Sequence, residues 1–559
     1  MRYKVYHDSF RVVWKRLPLL LFILVALYSC VTVYYSSDSF VHSDIASELL
    51  LGKLLAGQNK IVSTDWCYST GIKFIDVNLI YMSLFKFLDN WRTIHILAAL
   101  IQQAIMTASY YYFCRKVKLS QNAFYLTASL LLLPVNLLYG RLVLYESYYV
   151  SCIIFSFVIL GLFFSVIEHR LGNRLWQGLR ISLLLLVVFA SGLNGFRQLP
   201  STMLPLLVTI LVIILKKRRT GRWFAQPYGT AFGLAIAICV VGFTGTYVNT
   251  AVLSQHFSFS ELMGKNVEFE SVDELRKNII AYLRLFGFEE GRPLLTVEGI
   301  LSIAGVISAV VMLCISLYEL LKKQTETDFF REVTITLYPI AMLLMTFIYL
   351  FAFGPSQQYY FTVFVLIFPF SGMLLDHISF KSITSKQILT LAACSILFFL
   401  GLFNNLHYLR IVEQEPIDSQ EAIGFYDKER LTGALSYIEE NGCEIGYATY
   451  WNANVITQLT NGRIPMIPVI RVYPYPVYLY QDWLTDKRIR ELSFVEDKNV
   501  FFLLNNDEVD TFSNSDLAMY GIPTYNDEYF TIYEFDFSDA VWEYLAEQGA
   551  TLNQESISW

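Results

Sequence analysis

Eleven stretches of this 559-residue chain are apolar and close to the length that crosses a lipid bilayer. A membrane-spanning helix needs about 20 apolar residues, because its backbone polar groups must be satisfied internally across a hydrocarbon core of about 30 Å. We therefore expect an α-helical polytopic membrane protein with about eleven spans. The runs are 17–35, 92–114, 121–139, 147–167, 181–194, 199–215, 228–248, 299–320, 333–353, 359–375 and 387–404.

The composition agrees with this class and excludes others. Hydrophobic residues make up 55% of the chain and charged residues 16%, whereas a soluble globular domain carries about 25% charged residues. So few charges do not cover the surfaces of the several soluble domains that the length would allow. The aromatic content of 16% excludes a disordered chain, because disordered segments contain few aromatic residues.

The charges are divided unevenly along the chain. Residues 405–559 hold 9 Lys and Arg against 26 Asp and Glu, and residues 1–404 hold 33 against 22. This contrast predicts a transmembrane domain over 1–404 and an acidic soluble domain over 405–559. Alternating helical and strand patterns over about 412–550 predict a small α/β domain in the tail. Its predicted helices are 428–440 and 453–459, and its predicted strands are 444–450, 464–469, 499–504 and 529–535.

The positions of Lys and Arg between the spans predict the orientation in the membrane. Cytoplasmic loops carry an excess of these residues. With the N-terminus inside, the predicted cytoplasmic segments hold 21 of them, whereas the short outer loops hold two. An odd number of spans then places the C-terminal domain outside. The predicted cytoplasmic segments are 1–16, 115–120, 168–180, 216–227, 321–332 and 376–386.

Two predicted outer loops, 36–91 and 249–298, are long, and long loops are usually functional. In the first loop, residues 75–88 are apolar, but they are too few to span a bilayer and include Asp76 and Lys86. We expect an interfacial or re-entrant helix on the outer face there.

A second helix is expected in the same loop, from Asp44 to Leu55, with Ser43 as its N-cap and its end near Gly57. Asp44 and Glu48 are four residues apart, so they share one helix face. The apolar residues that we expect on the membrane surface are Ile45, Leu49 and Leu55.

Polar residues collect at the predicted outer ends of the spans. Ionisable groups close to a bilayer are costly and by default mark a function. Because all of these residues are predicted on one side, they can converge on a single cavity. They are Asp44, Glu48, Asp65, Trp66, Tyr68, Asp76, Arg141, Tyr145, Glu146, Tyr148, Tyr149, Asn194, Arg197, Gln357, Gln358, Tyr359 and Tyr360.

Such a cavity has the groups needed to transfer a sugar from a lipid phosphate. A carboxylate deprotonates an acceptor hydroxyl, which attacks the anomeric carbon. An Arg, a Lys or a divalent metal ion neutralises the departing phosphate, and aromatic rings stack on sugars. The tail shows no metal-ligand spacing and no phosphate-binding glycine pattern, so no cofactor is certain, and a divalent metal ion stays an open alternative.

The first outer loop resembles that of GT-C fold glycosyltransferases, which include protein O-mannosyltransferases and aminoarabinose transferases. The resemblance rests on an acidic residue just past the first span and on the small-residue helix SDIASELLLGKLLAG, Ser43–Gly57. It also covers the order of seven spans, a long loop, further spans and an outer C-terminal domain. It implies that Asp44 stands at the family's catalytic carboxylate and Glu146 at the second acid.

A later segment, SQQYYFTVFVLIFP over Ser356–Pro369, resembles the Arg-Tyr motif that precedes a proline-containing span in this superfamily. Here Gln358 replaces the Arg. The arginine that would bind the phosphate is therefore missing at this position, and we expect Arg197 or Arg141 to bind the phosphate instead.

The resemblance implies an inverting glycosyltransferase in the bacterial plasma membrane. It would transfer a sugar from a polyprenyl-phosphate donor in the bilayer to an envelope glycan, lipid or protein acceptor on the outer face. We expect no nucleic-acid partner. Asp44 and Glu146 are the predicted catalytic residues. The predicted substrate-binding residues are Glu48, Tyr68, Arg141, Tyr148, Arg197, Gln358 and Tyr359.

Other interpretations of the same sequence stay open. A polysaccharide polymerase or ligase would use a diphosphate-linked donor, and a transporter or flippase would place ionisable groups near the bilayer midplane. A non-catalytic scaffold would act through its acidic tail. Asp44 can also be a helix N-terminal carboxylate stabilised by the helix dipole, and Glu146 can pair with Arg141.

Overall fold

The computed structural model describes residues 2–37, 41–145, 149–168, 173–218, 226–260, 272–288, 293–322, 328–351, 357–376, 383–414, 428–472, 475–536 and 538–554. The chain divides into two compact units. The helical unit comprises Met1–Tyr35, Ala99–Asn249 and Asn266–Arg410. The mixed unit comprises Ser36–Ala98, Thr250–Lys265 and Ile411–Trp559, and so contains parts of both long predicted loops beside the tail. The predicted domain boundary after residue 404 stays a prediction.

Within the described residues, nine helices are long and apolar enough to cross a membrane. This agrees with the expected polytopic class, although the predicted number of eleven spans is not established. The nine are Arg16–Ser36, Val150–Glu168, Arg174–Leu193, Leu199–Lys217, Tyr228–Gln255, Val297–Leu321, Phe329–Phe351, Gln358–Leu375 and Ser385–Leu406.

Two expected spans, 92–114 and 121–139, are not among these nine helices. The run 92–114 lies in one helix, Trp91–Lys116, which includes two buried glutamines, Gln102 and Gln103. The run 121–139 was expected to be continuous, and this is wrong. Its first helix, Gln121–Leu131, has 11 residues, or about 16 Å at the helical rise, which is too short for the hydrocarbon core.

Further helices and helical turns are described in and between the spans. The long N-terminal helix is Arg2–Ser36, and the helix before the tail is Ser385–Gln414. The others in and between the spans are Leu137–Tyr139, Gly140–Tyr145, Leu199–Met203, Leu204–Arg218, Tyr228–Tyr247, Val248–Val252, Leu253–Gln255, Val272–Arg284, Gln357–Tyr360, Phe361–Phe364 and Ile367–Leu375.

Ion pairs join segments that the sequence predicts on the cytoplasmic side. Among the described residues of the helical unit, three pairs join two such segments, and a fourth joins Lys386 to Glu319, near the end of the predicted span 299–320, so these segments share one end of the unit. Sharing one end is what a common side of the membrane requires, and the side itself stays a prediction. The pairs are Lys116–Glu168 at 3.2 Å, Lys118–Asp328 at 3.7 Å, Lys217–Glu332 at 3.2 Å and Lys386–Glu319 at 2.7 Å.

The mixed unit has a six-stranded sheet and a three-stranded sheet. The six-stranded order is β5-β4-β3-β7-β9-β8, with β3 parallel to β4 and β7 and the other pairs antiparallel. All six predicted tail elements are present, with ends shifted by a few residues. The strands are β1 (Trp66–Tyr68), β2 (Ser258–Phe259), β3 (Ile445–Thr449), β4 (Met466–Val472), β5 (Val477–Tyr480), β6 (Thr485–Asp486), β7 (Val500–Asn505), β8 (Gly521–Asn526) and β9 (Phe530–Phe535).

Strand side chains alternate between two apolar cores. In β7, Phe501 and Leu503 enter one core, and Val500, Phe502 and Leu504 enter the other. This is the two-residue period of a strand buried on both faces. The tail helices around the sheet are Lys428–Glu440, Tyr450–Leu459, Lys487–Arg490, Leu492–Val495, Val509–Ser513, Asp516–Tyr520 and Ser538–Gln554.

The small sheet, in the order β2-β1-β6, joins the two loops to the tail. The first loop supplies β1, the second supplies β2, and the tail supplies β6. Cys67 lies opposite Ser258 on one side and Thr485 on the other. Long loops that pair in this way form part of a folded unit, which gives their side chains fixed positions.

The acid helix, Ser43–Gln58, carries Asp44 and Glu48. Its N-cap is His42, whose Nδ1 accepts a hydrogen bond from the Asp44 N–H at 3.1 Å, so the prediction of Ser43 as the cap is wrong. The helix ends at Gln58, next to Gly57 as predicted, and its C-cap is Asn59 in the left-handed conformation. The expected membrane-surface residues Ile45, Leu49 and Leu55 are 0–1% exposed within the unit, because neighbouring elements cover several faces of the helix.

One of these elements is the short helix Val77–Leu84, which forms within the predicted segment 75–88. A Cβ added at Gly52 would lie 2.4 Å from Tyr81 Cβ. We therefore expect Gly52→Ala to force the two helices apart and lower the free energy of unfolding by about 1–3 kcal/mol. Thermal unfolding of the purified protein measures this. The control is Gly57→Ala, whose Cβ would meet no atom within 4 Å; equal losses in both variants would contradict the packing argument.

Candidate functional site

The predicted site residues fall into two groups. Asp44, Glu48 and Tyr68 belong to the mixed unit, and Arg141, Arg197, Gln358 and Tyr359 belong to the helical unit. Glu146 and Tyr148 lie outside the described residues, so their roles stay predictions.

The Asp44 carboxylate is partly exposed and is held by a residue of the C-terminal tail. Its Oδ1 accepts a hydrogen bond of 2.6 Å from the Tyr450 hydroxyl. Its Oδ2 lies 3.9 Å from His42 Nδ1, and the Asp44 side chain is 30% exposed. The same His42 Nδ1 accepts the backbone hydrogen bond at the N-cap, 3.1 Å from the Asp44 nitrogen. The carboxylate therefore has one fixed oxygen and remains accessible.

A buried hydrogen-bond network fixes the two helices that carry Asp44 and Tyr450. The Ser43 hydroxyl donates to the Tyr450 carbonyl, and Ser47 Oγ lies 3.3 Å from the Tyr450 hydroxyl oxygen. The Asn454 amide donates to Ser47 Oγ at 2.7 Å. Ser43 and Ser47 are one turn apart on the acid helix, as Tyr450 and Asn454 are on their own helix. Two matching polar faces therefore set the position of Asp44.

Glu48 is 3% exposed, and its Oε1 accepts a hydrogen bond of 2.6 Å from Lys73 Nζ. Lys73 follows β1 in the same loop, and its side chain is 16% exposed. Asp44 and Glu48 were predicted to share one helix face, but their environments differ: Asp44 is accessible and Glu48 is buried. Glu48 serves as the partner of a buried cation, and its contact with substrate stays a prediction.

This ion pair gives a stability prediction. We expect Lys73→Met to lower the free energy of unfolding by about 3 kcal/mol, because it leaves the Glu48 carboxylate buried and uncompensated. Denaturant titration measures the loss, and adding Glu48→Gln to the variant should restore most of it. Lys498→Met is the control, because it breaks an exposed pair with Glu444 worth less than about 1 kcal/mol. A loss of similar size in the control would contradict the argument.

Tyr68 lies inside the mixed unit. It is 4% exposed, and its ring meets Phe257 and Phe259 edge-on. Its hydroxyl donates to the Ser63 carbonyl at 3.1 Å. Burial raises the pKa of Tyr68 to about 12, so the phenol stays neutral. Tyr68 therefore packs in the interior of the unit, and its contact with substrate stays a prediction.

In the helical unit, Arg197 contacts two tyrosine rings. Its guanidinium carbon is 4.6 Å from the ring centre of Tyr149 and 4.8 Å from that of Tyr359. The two rings meet edge-on with centres 6.5 Å apart. The guanidinium therefore contacts two nearly perpendicular rings, and such cation–π contacts restrict its position. The structure thus brings the predicted residues Arg197 and Tyr359 together.

The position of Arg197 follows from a tight connection between two helices. The helix Arg174–Leu193 ends before Gly195, whose φ of +111° favours glycine. The neighbouring Gln198 donates to the Cys152 carbonyl at 2.5 Å and accepts from Ser156 Oγ at 3.1 Å. These bonds tie the connection to the helix that begins just after Tyr149, so Arg197 and this ring are held together.

Arg141, the alternative cation, is 3% exposed and lies in the π-helical turn Gly140–Tyr145. At the end of this turn, the Tyr145 hydroxyl donates to Asn405 Oδ1. Gln358, which stands where the resemblance expects an Arg, is partly exposed. Exposure therefore favours Arg197 over Arg141 as a cation that a ligand can reach.

The residues of the acid helix do not fit a divalent metal ion. Among the side chains that the structure describes, no group of three or more His, Cys, Asp or Glu could hold one. Glu48 is bound by an ammonium group and is not paired with Asp44 in a shared set of oxygen ligands. We therefore assign no step to a metal.

Sequence reasoning missed Tyr450, Asn454 and Lys73. The segment that contains the first two, Thr449–Ile464, has the pattern of a domain core, and its helix is indeed largely buried. The available signal was the spacing of four between Tyr450 and Asn454, which matches the spacing of Ser43 and Ser47. Such pairs occur on many helices, so the spacing alone did not identify partners.

Comparisons with known proteins address the fold. No protein-family profile matches the sequence, and no curated protein matches it. A solved structure does: the crystal structure of ArnT from Cupriavidus metallidurans bound to undecaprenyl phosphate has a TM-score of 0.53 to this chain. The match covers 92% of this chain and 97% of that chain at 11% sequence identity. The chain therefore has an ArnT-like membrane fold, which agrees with the fold expected from its resemblance to GT-C glycosyltransferases.

Proposed function

We propose that this protein is an inverting membrane glycosyltransferase. It transfers a sugar from a polyprenyl-phosphate donor to a hydroxyl group of an envelope glycan, lipid or protein on the outer face of a bacterial plasma membrane. Two findings support the donor class. The fold is that of ArnT over nearly the whole chain, and that structure contains undecaprenyl phosphate.

The observation that carries the proposal is the environment of Asp44. It is a carboxylate 30% exposed at the first turn of a buried helix, oriented by the Tyr450 hydroxyl at 2.6 Å. A general base needs a fixed direction and an open approach for the proton donor. Asp44 accepts the acceptor's hydroxyl proton. The acceptor oxygen forms a bond to the anomeric carbon, and the carbon–oxygen bond to the phosphate breaks with its electron pair on the phosphate.

Arg197 binds the phosphate group in this proposal. The departing phosphate gains negative charge, and preorganised cationic donors stabilise such charge without reorganisation. The rings of Tyr149 and Tyr359 hold the guanidinium plane. Arg197 thus takes the role of the arginine that the resemblance expects at position 358, where this chain has Gln358.

A transfer assay tests the function. The purified protein is incubated with a panel of polyprenyl-phosphate sugars and membrane acceptors, and labelled product is measured. We expect product from one donor class and none from the corresponding nucleotide sugars. The same protein in liposomes is tested for movement of the donor across the bilayer. Donor movement without product would replace the proposal with the flippase interpretation, and product only from diphosphate-linked oligosaccharides would replace it with a polymerase or ligase.

A further inference from the structure

The tail carries an exposed tryptophan close to the candidate base. Trp451 is 55% exposed, whereas the other tryptophans described in the mixed unit are buried or partly buried, namely Trp66, Trp91, Trp483 and Trp542. A tryptophan has a large apolar surface, and leaving it in water forgoes the free energy of its burial. Single exposed aromatic residues are common on protein surfaces, so the position of Trp451 decides what its exposure means.

Trp451 directly follows the residue that orients Asp44. The hydroxyl of its neighbour Tyr450 donates to Asp44 Oδ1 at 2.6 Å. The Trp451 ring meets the rings of Tyr450 and His42 edge-on, in each case with ring centres 5.4 Å apart. His42 Nδ1 in turn lies 3.9 Å from Asp44 Oδ2. The His42 ring thus bridges Trp451 and the candidate base, and two ring contacts restrict the Trp451 side chain while more than half of its surface stays accessible.

The topology of the six-stranded sheet puts Trp451 at an edge where ligands bind in this class of sheet. β3 and β7 are parallel neighbours, and the chain leaves their carboxyl ends in opposite directions, from β3 to β4 and from β7 to β8. In open α/β sheets, ligands bind outside the carboxyl ends of the strands at such a switch point. Trp451 follows the end of β3 by two residues. The Asn452 amide donates to Asn505 Oδ1, at the end of β7, at 3.2 Å, which holds the two strand ends together.

We propose that Trp451 stacks on a sugar ring of the acceptor, so that the acceptor is a saccharide rather than a protein side chain. The acceptor assignment rests on the function proposed above, whereas saccharide binding by Trp451 does not. In the proposed transfer, the acceptor oxygen lies between Asp44 and the anomeric carbon, so a side chain beside Asp44 meets the acceptor before the donor. The C–H groups of a sugar ring carry partial positive charge and are attracted to the negative face of an aromatic ring. A serine or threonine side chain offers no ring that could cover the tryptophan.

Saccharide binding is tested on the full chain in lipid nanodiscs, because maltoside and glucoside detergents would compete. The probes are trisaccharides of glucose, galactose, mannose and N-acetylglucosamine, with binding measured by saturation-transfer NMR. We expect saturable binding of at least one probe. Trp451→Ala should weaken it about tenfold, the effect of truncating a tryptophan that anchors a ligand. Trp451→Phe keeps a smaller aromatic face, so its affinity should lie between that of Trp451→Ala and that of the unmodified protein.

The matched control is Tyr520→Ala. Tyr520 is another exposed aromatic residue of the tail, at 53%, but it precedes β8, which is three strands away from β3 in the sheet. Its replacement should leave saccharide binding unchanged. Absence of saturable binding to every probe, unchanged binding in Trp451→Ala, or equal losses in Trp451→Ala and Tyr520→Ala would overturn the proposal.

Kinetics separate a contact with the acceptor from a structural role. Trp451→Ala should raise KM for the acceptor about tenfold and leave kcat within about twofold, because stacking holds the acceptor equally in the ground state and the transition state. KM for the donor should stay unchanged, and a rise in the donor KM instead of the acceptor KM would overturn the assignment. The same saccharides, offered free and as lipid headgroups, distinguish a glycan acceptor from a glycolipid.

The two proposals fail in different ways. Asp44→Asn should bind the trisaccharide as the unmodified protein does while its transfer rate collapses, because the Trp451 ring stays in place. Binding that depends on Trp451 in a protein that transfers no sugar from any donor would leave the saccharide site standing and refute the transferase. Transfer at an unchanged acceptor KM in Trp451→Ala would refute the role of Trp451 and leave the transferase standing.

Discussion

Replacing Asp44 with asparagine is expected to lower the rate of sugar transfer by about 10²–10⁴-fold, the range for loss of a general base. The amide oxygen can still accept the hydrogen bond that the Tyr450 hydroxyl donates to Asp44 at 2.6 Å, so the local geometry is kept. Only the ability to take a proton at neutral pH is lost. The measurement is the initial rate with a labelled polyprenyl-phosphate sugar, together with thermal unfolding to show that the variant is folded.

The tail offers a matched control. Asp527 accepts a hydrogen bond of 2.6 Å from the Tyr525 hydroxyl, as Asp44 does from Tyr450, and its other oxygen accepts bonds of 2.7 Å from the N–H groups of Tyr529 and Phe530. Asp527→Asn removes the same charge from the same kind of partner and should keep activity within about twofold, as is usual for substitutions away from a site. If Asp44→Asn transferred sugar at the unmodified rate, Asp44 would be a helix N-terminal carboxylate with no catalytic role.

The second large effect is expected at Arg197. Arg197→Gln should lower kcat/KM for the donor by about 10²-fold, the cost of removing a preorganised donor to developing charge. Arg197→Lys keeps the charge but loses the planar group that contacts Tyr149 and Tyr359. Its kcat/KM should therefore lie between that of the unmodified protein and that of Arg197→Gln. Donor titrations that separate kcat from KM measure both effects.

The control for Arg197 lies at the other end of a neighbouring helix. Arg174 begins the helix Arg174–Leu193 and is exposed, and Arg174→Gln removes one positive charge without touching the tyrosine rings. It should leave kcat/KM within about twofold. Equal losses at Arg174 and Arg197 would indicate a general effect of charge on lipid binding. Unchanged kinetics in Arg197→Gln would remove Arg197 from the mechanism.

The spans and the tail could be predicted because their signals are local. Apolar length identifies a spanning helix, and the two-residue alternation of β7 identifies a strand with two buried faces. The run 121–139 was misjudged, because apolar composition does not report the break after Leu131. The N-cap was misplaced by one residue, since His42 and Ser43 both offer an acceptor and only the backbone geometry distinguishes them.

The candidate site could be predicted only in part. Asp44 was recognisable from its place after the first span, and Arg197 from its place in a short outer loop. The partner of Asp44 was not, because Tyr450 lies 406 residues away in sequence. No local pattern encodes such a contact.

The sequence by itself determined that this is a membrane protein with an acidic folded tail and that a carboxylate opens the helix after the first span. These features depend on run length, charge count and residue period, which a linear chain displays directly. Only the tertiary structure decided that Tyr450 orients Asp44, that Lys73 pairs with Glu48 and that two tyrosine rings contact Arg197. Those outcomes depend on contacts between distant segments, which exist only once the chain is folded.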